Sequence, residues 1–283
     1  DMDLSFSLPT PLEHFSSLVQ SDSEFPLLEA AASLACIAYP QLDVQQVLHE
    51  ADLLSGQLHS QRDSASQSAL ARLKFLNHMF YGEWGFQGNA NDYYAPDNSC
   101  LNVVLHKRRG IPVSLAVIWL ELAAELRLQV HGVGFPGHFL LKVSLPEGQV
   151  VLDPLTGQSF SSSMLAEMLE SVRPPQLRAL DDEVPLGLYL QPASPRDIVA
   201  RMLGNLKEIY RTERNWPRLI EVQNRRVVLE PGLWAEVRDR GLAYAELGVK
   251  DRASADLGQY LEHAEGAGDA PEIRHRLELL QKM

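Results

Sequence analysis

The sequence predicts an α+β core, a central buried helix plus an antiparallel sheet, with a helical N-terminal part and C-terminal helical repeats. Three observations predict it. Residues Val113 to Arg127 are apolar nearly all round the helical wheel (Val113, Leu115, Ala116, Val117, Ile118, Trp119, Leu120, Leu122, Ala123), the pattern of a helix buried at a domain's centre. Three strand-like segments follow it, Gln129 to Phe135, His138 to Leu145 and Gln149 to Leu152, the last two joined by the tight turn Pro146-Glu147-Gly148. Further on the chain repeats itself at a constant offset of 34: Tyr210 recurs as Tyr244, Leu219 as Ala253, Gln223 as Leu257 and Arg226 as Tyr260.

In chain order, Pro26 to Gly56 carries helical periodicity, divided by Pro40 into two short helices. Gln61 to Ser68 is polar and Ser-rich, a connection, and the next helix presents Leu70, Leu73, Phe75, Leu76, Met79 and Phe80 as its apolar stripe. The aromatic, Gly- and Asn-rich GEWGFQGNANDYYAPDNS reads as an ordered loop, and Asn102 to Lys107 as a short helix. Gly110-Ile111-Pro112 ends that helix and opens the next, since proline suits a first helical turn. Prolines 174, 175, 185, 192 and 195 mark a boundary, so one domain is expected over 1–190 and a second over 191–283. The 34-residue offset is the tetratricopeptide (TPR) period, and Gly241, Tyr244 and Ala253 fall at positions of the TPR pattern. Leu229-Glu230-Pro231 closes the first copy in the TPR manner, and Glu272 to Met283 forms a terminal covering helix. Two repeats and a cap rarely stand alone, so packing of this unit on the first domain is expected.

Bulk properties narrow the function. With 45% hydrophobic and 22% charged residues in 283, the chain has an ordinary globular composition and length for sizeable cores. No apolar run approaches the ~20 residues that span a bilayer, and the N-terminal stretch shows no secretory pattern. Two cysteines, Cys36 and Cys100, make no disulfide framework and suit a reducing cytosol, so a cytoplasmic protein without membrane partners is expected. Acidic residues exceed basic ones by 37 to 25, a net charge of −12 that opposes nucleic-acid binding. The clusters Lys107-Arg108-Arg109 and Arg225-Arg226 read as solvated helix ends. Nine histidines include no HExxH, and CxxC, GxGxxG and Walker A patterns are lacking, so neither a metal nor a cofactor is expected.

The candidate site is Ser114, His138 and Asp153. A nucleophilic hydroxyl needs a base within hydrogen-bond reach and an acceptor to orient that base. Ser114 begins the buried helix, where the dipole favours a developing anion, though serine there also serves as a cap. His138 follows Gly137, which leaves its ring open toward a cleft, and Asp153 ends the next strand. Antiparallel pairing brings His138 and Asp153 to the same open end of one hairpin, with the shared face decided by register. Asn98 and Asn102 are candidates for orienting groups in the site. Trp84, with Phe80, Tyr81, Phe86, Tyr93 and Tyr94, is a candidate groove lining or a pin for the long loop. Cys100 precedes the central helix and Cys36 lies on an apolar one; both read as small buried hydrophobes.

NSCLNVVLHKRRGIPVSL, LELAAELRL, GVGFPGHFLLKV and LDPLTG resemble the bacterial SirB-type transglutaminase-like family that carries a C-terminal TPR segment, from about Leu28 to Leu261. The resemblance implies a papain-like transglutaminase core followed by TPR helices. In that superfamily a Cys starts the central helix, a His starts one strand and an Asp ends the next. His138 and Asp153 match the second and third. The first falls on Pro112 in an alignment without a gap and on Ser114 after a two-residue shift, and neither is a thiol. Cysteine protease or transglutaminase activity is therefore not carried over, and the missing thiol together with the repeats points to a module that binds a protein or peptide in the former cleft, with the TPR helices as a partner surface. The alternative is a weak hydrolase or acyl-transferase using Ser114, His138 and Asp153.

Overall fold

The computed structural model describes residues 7–61, 68–174 and 185–282; most of the Ser-rich connection, Pro175 and Met283 lie outside them. The helices before the central one are α1 (Pro11–Leu18), α2 (Leu27–Ser33), α3 (Val44–Gln61), α4 (Ala69–Asn77) and α5 (Leu101–Lys107). Two short strands, β1 (Gln87–Gly88) and β2 (Arg109–Gly110), flank α5, and the central helix is α6 (Pro112–Glu125). Strands β3 (Gln129–Val133), β4 (Leu140–Leu145), β5 (Gly148–Leu152) and β6 (Ser159–Phe160) precede α7 (Ser162–Val172). Helices α8 (Pro195–Thr212), α9 (Trp216–Leu229), α10 (Trp234–Leu247), α11 (Lys250–His263) and α12 (Ala270–Lys282) complete the chain.

One compact unit comprises Leu27–Ala32 and Asp43–Met202. Its sheet is antiparallel in the order β3-β4-β5-β6, with Leu141 against Leu152 and Val133 against Leu140. One face packs Val133, Leu140 and Val151 against Leu165 and Leu169 of α7, with Phe135 in the same cluster. By strand alternation Leu141 and Val143 take the opposite face, and α6 packs on β3 and β4. All the residues of α6 from Val113 to Trp119 are buried, as its apolar circumference requires. β1 and β2 form a small parallel pair that fixes the chain on entry to α6. The helix bearing the Leu73–Phe80 stripe does not stay regular: after Asn77 it widens into a π turn over His78–Glu83, which buries Met79 and Phe80.

The second unit is helical and contains Leu203 onward, Ser33–Leu42 and the described residues up to Pro26. Helices α9 and α11 begin and end 34 residues apart, and the repeated positions Tyr210, Tyr244, Leu219, Ala253, Gln223 and Leu257 are buried. Gly241 has a steric reason: a Cβ there would lie 2.9 Å from Asp256 Cβ and 3.0 Å from Leu257 Cδ2, so α10 and α11 meet at this point. Helix α1, with Phe15 fully buried, and the short 3-10 segment Leu34–Ile37 lie on α9 within this unit. The polar interior of the unit centres on Glu236, which is bonded by Lys207, Arg226 and Gln223. Burial alone would raise its pKa; hydrogen bonds from Arg226 and Lys207, and their charges, outweigh that and hold it at about 2.

Candidate functional site

The GIPVS segment builds the start of α6. Ile111 is the N-cap and Pro112 the first helical residue, where a missing N–H costs nothing. Ser114 is fully buried at the third position, and its hydroxyl accepts from Ile111 N–H at 3.1 Å, the reaching-back half of a capping box. The same hydroxyl donates to the Asn98 carbonyl at 2.6 Å and lies 3.1 Å from Ile111 O. A Cβ at position 110 would sit 2.7 Å from Ser114 Oγ, which is why glycine precedes the helix. Every hydrogen-bond partner of Ser114 Oγ among the described residues is thus a backbone atom, and His138 is not one of them. Pro112 is half-buried.

His138 does not start a strand. β4 begins at Leu140, because Pro136-Gly137 turns the chain: Gly137 has φ +71° and His138 N–H closes onto Phe135 O at 2.9 Å. Proline then glycine with positive φ is the type II pattern, and it commits the His138 amide to the turn instead of a strand ladder. The imidazole is exposed, 6.5 Å from the buried Phe135 ring. Gly137 is exposed too; a Cβ there would lie 3.0 Å from Val172 Cγ1.

Asp153 stands one residue after β5, at the open end of the β4–β5 hairpin, as the strand order requires. Its Oδ1 accepts from Leu155 N–H at 2.8 Å, an Asx turn, and its carbonyl accepts from Gly157 N–H at 2.8 Å. Gly157 has φ +74°, and a Cβ there would lie 2.5 Å from Tyr81 Cε2. Tyr81 donates to Pro154 O at 2.8 Å; burial first, then the charge of Asp153, raises its pKa. Asn77 adds a bond to Gly157 O at 3.4 Å and accepts from Trp119 Nε1 at 2.9 Å. The LDPLTG motif is therefore a turn clamped by Asn77 at the end of α4 and by Tyr81 in the π turn after it, with Trp119 of α6 holding Asn77 in place. The hydrogen bonds join neither Ser114 to His138 nor His138 to Asp153 among the described residues.

The remaining candidates divide in role. Asn98 is a buried knot: its amide nitrogen donates to Asp92 O at 2.8 Å and Tyr93 O at 3.0 Å, and its oxygen accepts from Asn89 at 3.0 Å. Asn102 is half-buried, and its Oδ1 has no partner among the described residues. Trp84 donates to Gln57 Oε1 at 2.8 Å and so pins the loop to α3. Phe80 stacks on Phe86 at 4.2 Å as the same pin. Tyr93 and Tyr94 are the exposed members, at 56% and 76%. Both cysteines are buried, and burial raises the Cys36 thiol pKa against the opposing charge of Arg225. Among the described residues no group of His, Cys, Asp and Glu is arranged to hold a metal, and no helix is long and apolar enough to cross a membrane.

Arg201 was not among the sequence candidates. Its guanidinium lies over the Phe139 ring, 5.7 Å from the centroid, one residue from His138. The only signal in the chain is a cation within the apolar run Ile198, Val199, Met202, Leu203, and nothing links it to a segment some sixty residues earlier.

The central helix, the antiparallel sheet and the motif turns at its open end define a transglutaminase-like domain, and residues 45–204 match the Transglutaminase-like superfamily. Residues 206–278 match the tetratricopeptide repeat. The chain belongs to that superfamily, and within it to the bacterial group of the UPF0162 and SirB1 proteins. It is 36% identical to a UPF0162 protein of Xylella fastidiosa (strain 9a5c), over 88% of each chain. It is 29% identical to UPF0162 protein YchA of Escherichia coli K12, over 86% of this chain and 89% of the relative. Protein SirB1 of Salmonella typhimurium is 30% identical over 68% of this chain and 69% of its own.

Proposed function

We propose that the transglutaminase-like domain is a peptide- or protein-binding module of regulatory type, and that the TPR helices supply a second partner surface. The observation that carries the reading is the commitment of the Ser114 hydroxyl. Fully buried and bonded to the Asn98 carbonyl at 2.6 Å, it has no proton to give to His138. The other alignment of the nucleophile position falls on Pro112, which has no reactive group. The two thiols are buried, so neither supplies a replacement. The exposed surface near the motifs offers aromatic and imidazole contacts instead, in Tyr93, Tyr94 and His138, the residue types that favour recognition.

The test is retention of a degenerate library of short capped peptides by the full-length protein, with the retained pool analysed by mass. Retention that falls in the double variant Tyr93→Ala/Tyr94→Ala, with peptides recovered unchanged, is the expected result. No retention by the folded protein overturns the reading. The hydrolase alternative requires Ser114→Ala and His138→Ala to abolish turnover alike, because such residues act as a unit.

A further inference from the structure

Arg201 is a half-buried cation. Its guanidinium rests on the face of Phe139, and Phe139 is itself wedged where a Cβ on Gly132 would meet its ring at 2.7 Å, beside Ile198. Among the described residues no carboxylate pairs with Arg201 and no carbonyl accepts from it. Burial lowers its pKa, with Tyr93 opposing that shift by its proximity; the group stays charged, since arginine begins far above neutrality. A partly dehydrated guanidinium without an acceptor regains what it lost only when an anion arrives. An exposed aromatic surface elsewhere in the same compact unit suits a peptide chain more than a free ion. Tyr93 belongs to a loop whose carbonyls at Asp92 and Tyr93 are held by the buried Asn98 amide. It remains 56% exposed, with Tyr94 packed edge-on against it at 5.1 Å.

We propose that Arg201, backed by Phe139, the residue after His138, is a subsite for a carboxylate side chain of the bound peptide. The subsite rests on the peptide-binding reading above. A single planar guanidinium matches a carboxylate in charge and in its two-oxygen geometry. A phosphate dianion calls for more positive charge than this one residue gives.

The test compares three capped peptide libraries on the full-length protein, differing at one central position fixed as glutamate, glutamine or phosphoserine. Wild type is expected to retain the glutamate library about tenfold better than the glutamine one, the scale of a charge-assisted pair. Arg201→Gln equalises the two while both remain bound. Arg201→Lys, which keeps the charge and stem but not the fork, leaves an intermediate preference and decides the matter if Arg201→Gln does not fold. Equal retention of glutamate and glutamine by wild type overturns the subsite and leaves peptide binding standing. Strongest retention of phosphoserine overturns the carboxylate assignment. No retention of any library overturns peptide binding and the subsite together.

Discussion

Replacing Ser114 with alanine separates a structural serine from a nucleophilic one. The hydroxyl is fully buried and satisfies Ile111 N–H at 3.1 Å and Asn98 O at 2.6 Å. Alanine leaves one buried donor and one buried acceptor without these partners, each costing about 1–3 kcal/mol. The methyl that remains fills most of the space, so the expected loss is about 2–4 kcal/mol. His138→Ala, at an exposed position, is expected within about 0.5 kcal/mol of wild type. Urea unfolding gives the overall change, and hydrogen exchange at the α6 amides reports the opening of this domain by itself. A Ser114→Ala protein whose α6 amides exchange as in wild type would refute the claim that the hydroxyl ties the helix to the preceding loop.

Gly157→Ala is expected to cost about 2–4 kcal/mol, because φ is +74° and the new Cβ would lie 2.5 Å from the half-buried Tyr81 ring; a paired Tyr81→Ala change should recover part of it in thermal melts. Gly241→Ala should destabilise the repeat helices by about 1–3 kcal/mol through its clash with Asp256 and Leu257, read by loss of helical circular dichroism on heating. Glu236 gives the repeat unit an acid limb. Its folded pKa of about 2 lies below the ordinary 4.5, so its contribution is present above the unfolded value and lost as pH falls through the folded one. Stability of this unit should fall by up to ~3 kcal/mol between about pH 5 and pH 2, and Glu236→Gln should flatten that limb while lowering stability at neutral pH.

Much of the fold was legible because burial leaves periodic traces. The all-round apolar character of α6 has one explanation, a helix surrounded by protein, and the 34-residue offset repeats wherever α9 and α11 pack alike. The association of α1 with α9 was not legible, since an amphipathic helix does not name its partner across two hundred residues. The site was legible as motifs and not as chemistry. Serine in a first helical turn is the same letter whether its hydroxyl faces a histidine or a carbonyl; here the difference lies with the Asn98 carbonyl, on a separate segment. The apolar run after His138 extends β4 two residues too early in a local pattern, whereas the Pro136-Gly137 turn before it delays the strand to Leu140. Arg201 and Phe139 meet only through tertiary packing, and no short-range pattern connects them.

The central claim, binding without turnover, is tested most directly by incubating the retained peptide pool with wild type, Ser114→Ala and His138→Ala and weighing the peptides afterwards. The account predicts peptides of unchanged mass with all three proteins, bound by wild type and released intact. Cleaved, deamidated or cross-linked products that disappear equally in the two variants would contradict it and return Ser114 to catalysis.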